Sequence, residues 1–372
     1  MRKSLEAGLK SQGFWIGFIG RQWLLVASAA GFLLSVVSAR KFPVYSIKEF
    51  QILAVLFSLF VTVKGLEKSG LLAGLSRRIE MGKALPVKMV VATFFVSMVV
   101  TNDVALITLV PLTMALNIRR KDLVVIFEAL AANAGSAFTP FGNPQNLFIY
   151  WFYDLPLLRF IQTMAPFSLV FLFLLILGSS FIKTEAVWQA TAPTILVGRM
   201  ALFHVLLLVL IILTVLHVLP FATVFLVVLS VMWFDRTALR VDYSLVLSFF
   251  FFFGIADNMK AILAAEIAHS KHVFILSALA SQLMSNVPVA LVFAKFTHNW
   301  AALLWGTNAG GFGSLLGSLA NLIAYKIYIT QGKDIHPADF TLKFLLFGYA
   351  AFIVSAALFF GYSELSIDQM VF

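Results

Sequence analysis

Hydrophobic positions gather in long runs separated by short polar segments, at residues 23–38, 49–64, 86–117, 121–152, 157–182, 199–217, 220–234, 243–257, 271–298, 299–328 and 340–363. Runs of this kind predict helices within a bilayer, where a complete span takes about 20 residues. Two runs, 86–117 and 271–298, are interrupted midway by an Asn-centred triplet. Each arm then has only about 14 residues, short of a span, which predicts a re-entrant helical hairpin that enters and leaves on one side. Two more runs, 121–152 and 299–328, are interrupted by Gly/Pro/Asn-rich stretches and predict broken transmembrane helices. Exposed non-helical backbone is too costly in hydrocarbon, so such breaks must line a cavity or lie within protein.

The interruptions come in duplicate. Asn133-Ala-Gly-Ser-Ala-Phe-Thr-Pro-Phe-Gly142-Asn-Pro-Gln-Asn146-Leu-Phe-Ile-Tyr150 is echoed by Asn308-Ala-Gly-Gly-Phe-Gly-Ser-Leu-Leu-Gly317-Ser-Leu-Ala-Asn321-Leu-Ile-Ala-Tyr325. Asn, Ala, Gly, Gly, Asn, Leu and Tyr recur in register. Each copy follows a shared hairpin element, Ser97-x-x-x-Thr101-Asn102 in one half and Ser281-x-x-x-Ser285-Asn286 in the other. The reading is a duplicated chain: residues 1–182 form the first repeat, 183–198 a linker and 199–372 the second repeat.

Composition fixes the medium. With 61% hydrophobic residues and 12% charged, too little polar surface exists to cover a soluble domain of 372 residues. The fold class is an all-α polytopic membrane protein of about nine or ten spans. The net charge of +10 sits beside apolar runs, so the basic residues act as topology signals rather than as a nucleic-acid surface. The absence of cysteine excludes thiolate metal sites and disulfides, and the histidines form no spaced metal cluster. The opening 22 residues look like a retained amphipathic lead-in.

Lys64, Lys68, Arg77, Arg78, Lys83 and Lys88 precede the first hairpin, and Arg119, Arg120 and Lys121 follow it. Both its ends are therefore expected in the cytoplasm. Counting spans forward puts the ends of the second hairpin outside, with Lys183 and the Lys326–Lys343 region inside and the acidic end carrying Glu364 and Asp368 outside. The N-terminus is then cytoplasmic and the C-terminus external. The two repeats have inverted topology, the architecture of secondary transporters.

Four half-helices are expected to begin near the bilayer midplane, just after Asp103, Asn143, Val287 and Ser318. Their N-termini attract anions through oriented N–H groups and the helix dipole. Carbonyls released at the breaks, with Asn and Ser/Thr oxygens, would instead suit sodium. A carboxylate at a hairpin tip is expensive in a membrane unless paired, metal-bound or protonated, so Asp103 is read either as a coupling residue or as an acidic helix cap. Glu128 is read as a proton relay or as a surface partner of Lys88 or Arg119, and Lys295 as a snorkelling side chain.

Thr101-Asn102-Asp103-Val-Ala-Leu-Ile-Thr-Leu-Val-Pro111, the first Gly/Pro/Asn element, Ser285-Asn286-Val-Pro288 and the second Gly/Asn element resemble the ion transporter superfamily. That group holds arsenite efflux pumps, citrate transporters, divalent-anion symporters and sodium/proton antiporters, and this chain is most similar to small bacterial permeases with a citrate-transporter-like domain. The resemblance implies a moving transport unit on a scaffold, an elevator motion, a homodimer and a place in the cytoplasmic (inner) membrane. It assigns one half-site to Thr101, Asn102, Asn133, Gly135 and Gly142, and the other to Ser285, Asn286, Asn308, Gly310 and Gly317. From their places in the same segments, Asp103, Thr139, Asn146, Ser314 and Asn321 join the substrate- or ion-binding candidates. Sodium, if used, sits at Asn102 and Asn286; no other cofactor is expected.

The chain departs from the divalent-anion symporters at both tips. Those proteins have Ser-Asn-Thr, and here the third positions are Asp103 and Val287. An ionised aspartate would repel a dicarboxylate, which favours proton coupling, a weakly charged oxyacid such as arsenous acid, or a cation. The expected function is secondary transport of a small anion or oxyanion coupled to protons or sodium, with sodium/proton antiport as the alternative. A membrane enzyme lacks a nucleophile and base pair here, and opposed hairpins disfavour a channel.

Overall fold

The computed structural model describes residues 22–72, 74, 84–116, 118–183, 198–263, 269–331 and 336–365. The lead-in before Gln22, the basic residues Arg77, Arg78 and Lys83, nearly all of the linker, and Asp368 lie outside the described residues, as does the side chain of Glu364. Among the described residues the chain is helical throughout, a polytopic membrane protein built of fifteen α-helices and one short 3-10 turn. Three of the helices, Ile47–Lys68, Leu157–Ser180 and Pro337–Tyr362, are long and apolar enough to cross a bilayer alone.

In chain order the helices are α1 (Trp23–Ala39), α2 (Ile47–Lys68), α3 (Leu85–Val99), α4 (Asn102–Ala115), α5 (Lys121–Ser136), α6 (Pro144–Phe152), α7 (Leu157–Ser180) and α8 (Arg199–Val215). The remainder are α9 (Thr223–Phe234), α10 (Tyr243–Leu263), α11 (Ser270–Met284), α12 (Asn286–Phe293), α13 (Trp300–Gly310), α14 (Leu319–Gln331) and α15 (Pro337–Leu365). The two interrupted Asn-centred runs become the helix pairs α3–α4 and α11–α12. The Gly/Pro/Asn-rich runs become α5–α6 and α13–α14.

Two boundaries differ from expectation. Helices α4 and α12 start at Asn102 and Asn286, one or two residues earlier than the sequence suggests. The reason is that the Asn102 N–H donates to Gly142 O at 3.2 Å and the Asn286 N–H to Gly317 O at 3.0 Å. Each supplies an acceptor to an N–H that a helix start otherwise leaves orphaned. The arms are also unequal, since α12 has 8 residues against 14 in α4. It stops where the Tyr153 hydroxyl reaches Ala294 O and Thr297 O, at 3.2 and 2.8 Å.

Helices α5, α6 and α13 form the centre, with almost every residue of each buried. Helix α3 packs on α5 and α11 on α13, and small residues let them approach closely. A Cβ on Gly135 would lie 2.1 Å from Phe94 O, and one on Gly310 would lie 2.4 Å from Ser281 Cβ. The second arms cross between halves, with α4 against α14 and α12 against α6. Around this centre, α1 packs on α10, α2 on α8 and α9, and α7 on α3 and α5.

Two charged residues find partners that the apolar pattern does not suggest. Lys295, expected to reach for the interface, pairs with Glu49 of α2 at 2.7 Å, the two side chains being 15% and 3% exposed. A charge held this far from water needs a partner, and Glu49 also accepts the Ser46 N–H at 2.7 Å in a capping box. At the other end of α2, Lys64 pairs with Glu67 at 2.8 Å. The Gly135→Ala variant should lower the melting temperature in detergent, because overpacking costs about 1–3 kcal/mol. Gly361→Ala, inside α15 where a Cβ meets nothing within 4 Å, should not lower it.

Candidate functional site

The starts of α4, α6, α12 and α14 converge on one cavity, lined by Asn102, Asp103, Gln145, Asn286, Val287 and Ser318 among others. As arranged here its volume is about 20 Å³, room for roughly one water-sized body. Four helix N-termini around one small space concentrate N–H groups and positive dipole ends there. The sequence expectation of four converging half-helices is met in this geometry. Of the lining residues, Ser318 is the expected start of the fourth half-helix, whereas Gln145 lies in a duplicated segment without repeating in the second copy, unlike its neighbour Asn146.

Behind the cavity lies a bonded network that matches between the halves. The Asn133 amide donates to Asn321 Oδ1 at 2.8 Å, and the Asn308 amide donates to Asn146 Oδ1 at 2.8 Å. Each of these bonds joins one repeat to the other. Within each repeat the second Asn turns to the break: Asn146 donates to the carbonyls of Ser136, Ala137 and Thr139, and Asn321 to those of Gly311, Phe312 and Ser314, all at 2.8 to 3.4 Å. Two N–H bonds shared among three carbonyls are three-centre contacts. The hydroxyls match as well, since Thr139 donates to Met98 O at 2.7 Å and Ser314 to Gln282 O at 3.1 Å.

This bears on sodium. The carbonyls released at the breaks already accept from Asn146 and Asn321, so the first-choice oxygens for a cation are partly used. The remaining candidates face the cavity. Asn102 spends its amide on Asn133 Oδ1 at 3.3 Å and its oxygen on the Asp103 N–H at 3.0 Å. Asn286 is less committed: its oxygen meets the Ser285 hydroxyl at 3.5 Å, and its amide has no acceptor among the described residues. The Asn286 side chain is thus the freer of the two toward a ligand.

The tips are unequal in backbone too. Thr101 is extended, with φ −152°, whereas Ser285 has φ +72°, a conformation that costs a non-glycine residue about 1–3 kcal/mol. Gln282 is a contributor that sequence reasoning missed. It donates to Gly310 O at 2.7 Å and accepts the Ser314 N–H at 2.6 Å, bracing the second break. The first repeat has Met98 at the corresponding place, so a search for repeated residues passes over Gln282.

The two acids separate. Asp103 is partly buried in the first turn of α4, and no described residue donates to its carboxylate or pairs with it. It faces the cavity. Glu128 is fully buried behind the α3–α4 pair rather than at a surface ion pair with Lys88 or Arg119. Its Oε1 lies 2.9 Å from the Thr113 hydroxyl and 3.4 Å from that of Thr93, and Oε2 has no partner. The Thr93 hydroxyl also donates to Met89 O at 2.8 Å, so its longer contact with Glu128 is the weaker share of one hydrogen. Among the described residues no group of three or more metal-ligating side chains occurs.

Comparison with known proteins gives a consistent result. Residues 15–307 match a family model described as citrate transporter. The chain is 32% identical over 306 residues to an uncharacterized transporter of Methanocaldococcus jannaschii, covering 79% of this chain and 85% of that one. It is 34% identical over 295 residues to the inner membrane protein YbiR of Escherichia coli, covering 73% and 78%. A silicon efflux transporter of rice, Oryza sativa, is 30% identical over 169 residues, 41% of this chain and 35% of that one.

The cross-repeat bonds should be measurable as an energy. In a double-mutant cycle with Asn133→Ala and Asn321→Ala, unfolding in mixed micelles should show a coupling of about 0.5 kcal/mol or more. Strictly additive losses would mean that the two amides do not support each other.

Proposed function

The chain belongs to the citrate transporter family and is a membrane transporter rather than an enzyme; from that premise we propose that it is a secondary active transporter of a small anion or oxyanion, of carboxylate or arsenite type. Transport is coupled to protons or sodium. The observation that carries this reading is the convergence of four helix N-termini on one cavity beside a carboxylate, Asp103, that has no partner among the described residues. Helix N-termini favour the anionic group of a solute, and Asp103 offers a site for a compensating cation or proton. The protein resides in the cytoplasmic membrane with its N-terminus inside and its C-terminus outside.

In this reading α3–α4 and α11–α12 are re-entrant hairpins, and the matched contacts of the two repeats support a pair of inverted-topology units at 1–182 and 199–372 joined by the linker. The central helices move against the outer ones in an elevator-type alternation, and the protein works as a homodimer in the lipid bilayer. Thr101, Asn102, Asn133, Gly135 and Gly142 with Asp103 contribute one half-site. Ser285, Asn286, Asn308, Gly310 and Gly317 contribute the other. Thr139, Asn146, Ser314 and Asn321 hold the breaks in shape. Asp103 is the coupling residue and Glu128 a second protonatable group behind it.

Asp103 also biases the choice of solute. A fixed carboxylate at the cavity disfavours a multiply charged carboxylate and favours an oxyacid that carries little charge at neutral pH. The name of the rice relative, a silicon efflux transporter, supports the same class. The alternative is sodium/proton antiport, with both ions competing for Asp103.

Purified protein in proteoliposomes with an internal pH dye distinguishes these. A pH change on adding arsenite, silicic acid or citrate, and none with sodium alone, is the expected result. A response to sodium alone would establish antiport in its place. Asp103→Asn should abolish the pH dependence of transport while the protein still elutes as a single folded species, and retained pH dependence would remove Asp103 from coupling.

A further inference from the structure

Asp103 borders two cavities. Besides the space among the helix N-termini, it lines a cleft of about 210 Å³ together with Thr101, Ile107, Lys64, Glu67 and Arg240. The cleft runs between α2, α4, α14 and the segment from Arg240 to Leu245. Asp103 and Ile107 are four residues apart on α4, so they present to the same face. At the far end of the cleft are the last turn of α2 and Arg240, where Lys68 also bonds Thr237 O. Charged residues collect there and apolar ones line the interior, as expected of a passage that opens to water.

Among the described residues, the ionisable groups facing this passage come from three elements. Helix α2 contributes Lys64 and Glu67, already paired with each other. The segment after α9 contributes Arg240 and Asp242, and α4 contributes Asp103; α14 contributes only the apolar Leu319 and Ile323. Among these described lining groups two cations and two carboxylates cancel, so their sum is zero when Asp103 carries a proton and singly negative when it does not. With Asp103 ionised, that single negative charge favours the approach of a cation over that of an anion.

The opposite end of α2 is shut. Glu49 and Lys64 are separated by about 22 Å along the helix at 1.5 Å per residue. At the Glu49 end the buried pair with Lys295 joins α2 to the end of α12, and the Lys295 ammonium lies 5.8 Å from the centre of the Phe152 ring, the last residue of α6. Tyr153 adds its two contacts to the turn after α12. Both α6 and α12 begin at the cavity, so their far ends are tied together and to α2.

We propose that the cleft is the route by which Asp103 exchanges protons with the solution on the Lys64 and Arg240 face, and that the Glu49–Lys295 pair is the closed door on the other face. The proposal rests on the reading of Asp103 as the coupling residue and adds the side from which it is served. By the distribution of basic residues that side is cytoplasmic.

The chain has no cysteine, so single cysteines can be placed without a background. Ile107→Cys should react with a membrane-impermeant maleimide at least tenfold faster in inside-out vesicles than in right-side-out ones. Equal rates, or faster labelling from outside, would overturn the route. Ile323→Cys on α14 repeats the measurement if Ile107→Cys fails to insert. A bulky maleimide at Ile107→Cys should also remove pH-dependent transport when applied from that face, and undiminished transport after complete labelling counts against it. In the Glu49→Gln/Lys295→Met background, labelling of Ile107→Cys from outside should rise several-fold; no rise would overturn the door. Labelling as expected alongside an Asp103→Asn variant that remains pH-dependent would instead sink the coupling assignment, so the two failures are distinguishable.

Discussion

Every feature of the centre depends on one constraint, that backbone released from a helix inside a membrane must still be hydrogen-bonded. Asn146 and Asn321 meet it. Each extends an amide into the break of its own repeat and covers three carbonyls there. Each then has its oxygen satisfied by an asparagine from the other repeat. A carbonyl left bare in such surroundings costs about 1–3 kcal/mol, so six of them would cost on the order of 6–18 kcal/mol. The helix N-termini can stop where they do because these side chains make stopping tolerable.

The same bonds decide which parts are stiff. The starts of α4 and α12 are fastened to the breaks through Gly142 O and Gly317 O, and the breaks are fastened to each other through the asparagines. Little within that unit can shift alone without stranding a buried polar group. Its contacts with the surrounding helices are more apolar, aromatic and aliphatic surfaces pinned at single bonds such as the Trp151 indole to Val215 O at 2.9 Å and the Ser168 hydroxyl to Ala134 O at 2.8 Å. The Phe148 and Phe253 rings, 5.5 Å apart between α6 and α10, are one such surface. The buried Glu49–Lys295 pair is an exception, since it spans the boundary as an ion pair.

Much of this arrangement was legible in the chain because duplication leaves a residue-by-residue trace. Asn133, Asn146, Asn308 and Asn321 recur at fixed places in the two segments, and the structure brings all four into one network. What single-strand periodicity does not carry is which copy bonds which; the cross-repeat pairing comes only from folding. Gln282 was invisible because its counterpart is Met98. Lys295 was misread because an isolated cation in an apolar run gives no hint of a carboxylate far away in sequence at Glu49. Of the two readings of Glu128, the surface pair with Lys88 or Arg119 fails because α5 enters the interior at once, and the side chain meets threonines from α3 and α4. The early start of α4 and α12 depended on carbonyl acceptors that exist only after the breaks have packed against the tips.

The crossed asparagine bonds also impose an order on biogenesis. Asn133 and its partner Asn321 are 188 residues apart, and Asn146 and Asn308 are 162 apart. At a synthesis rate of about 5–20 residues per second, the first repeat waits on the order of ten to forty seconds for its partners to leave the ribosome. During that interval Asn133 has no Asn321 to bond and Asn146 has no donor for its oxygen. Until the second repeat is made, the first therefore carries asparagines whose cross-repeat partners do not yet exist.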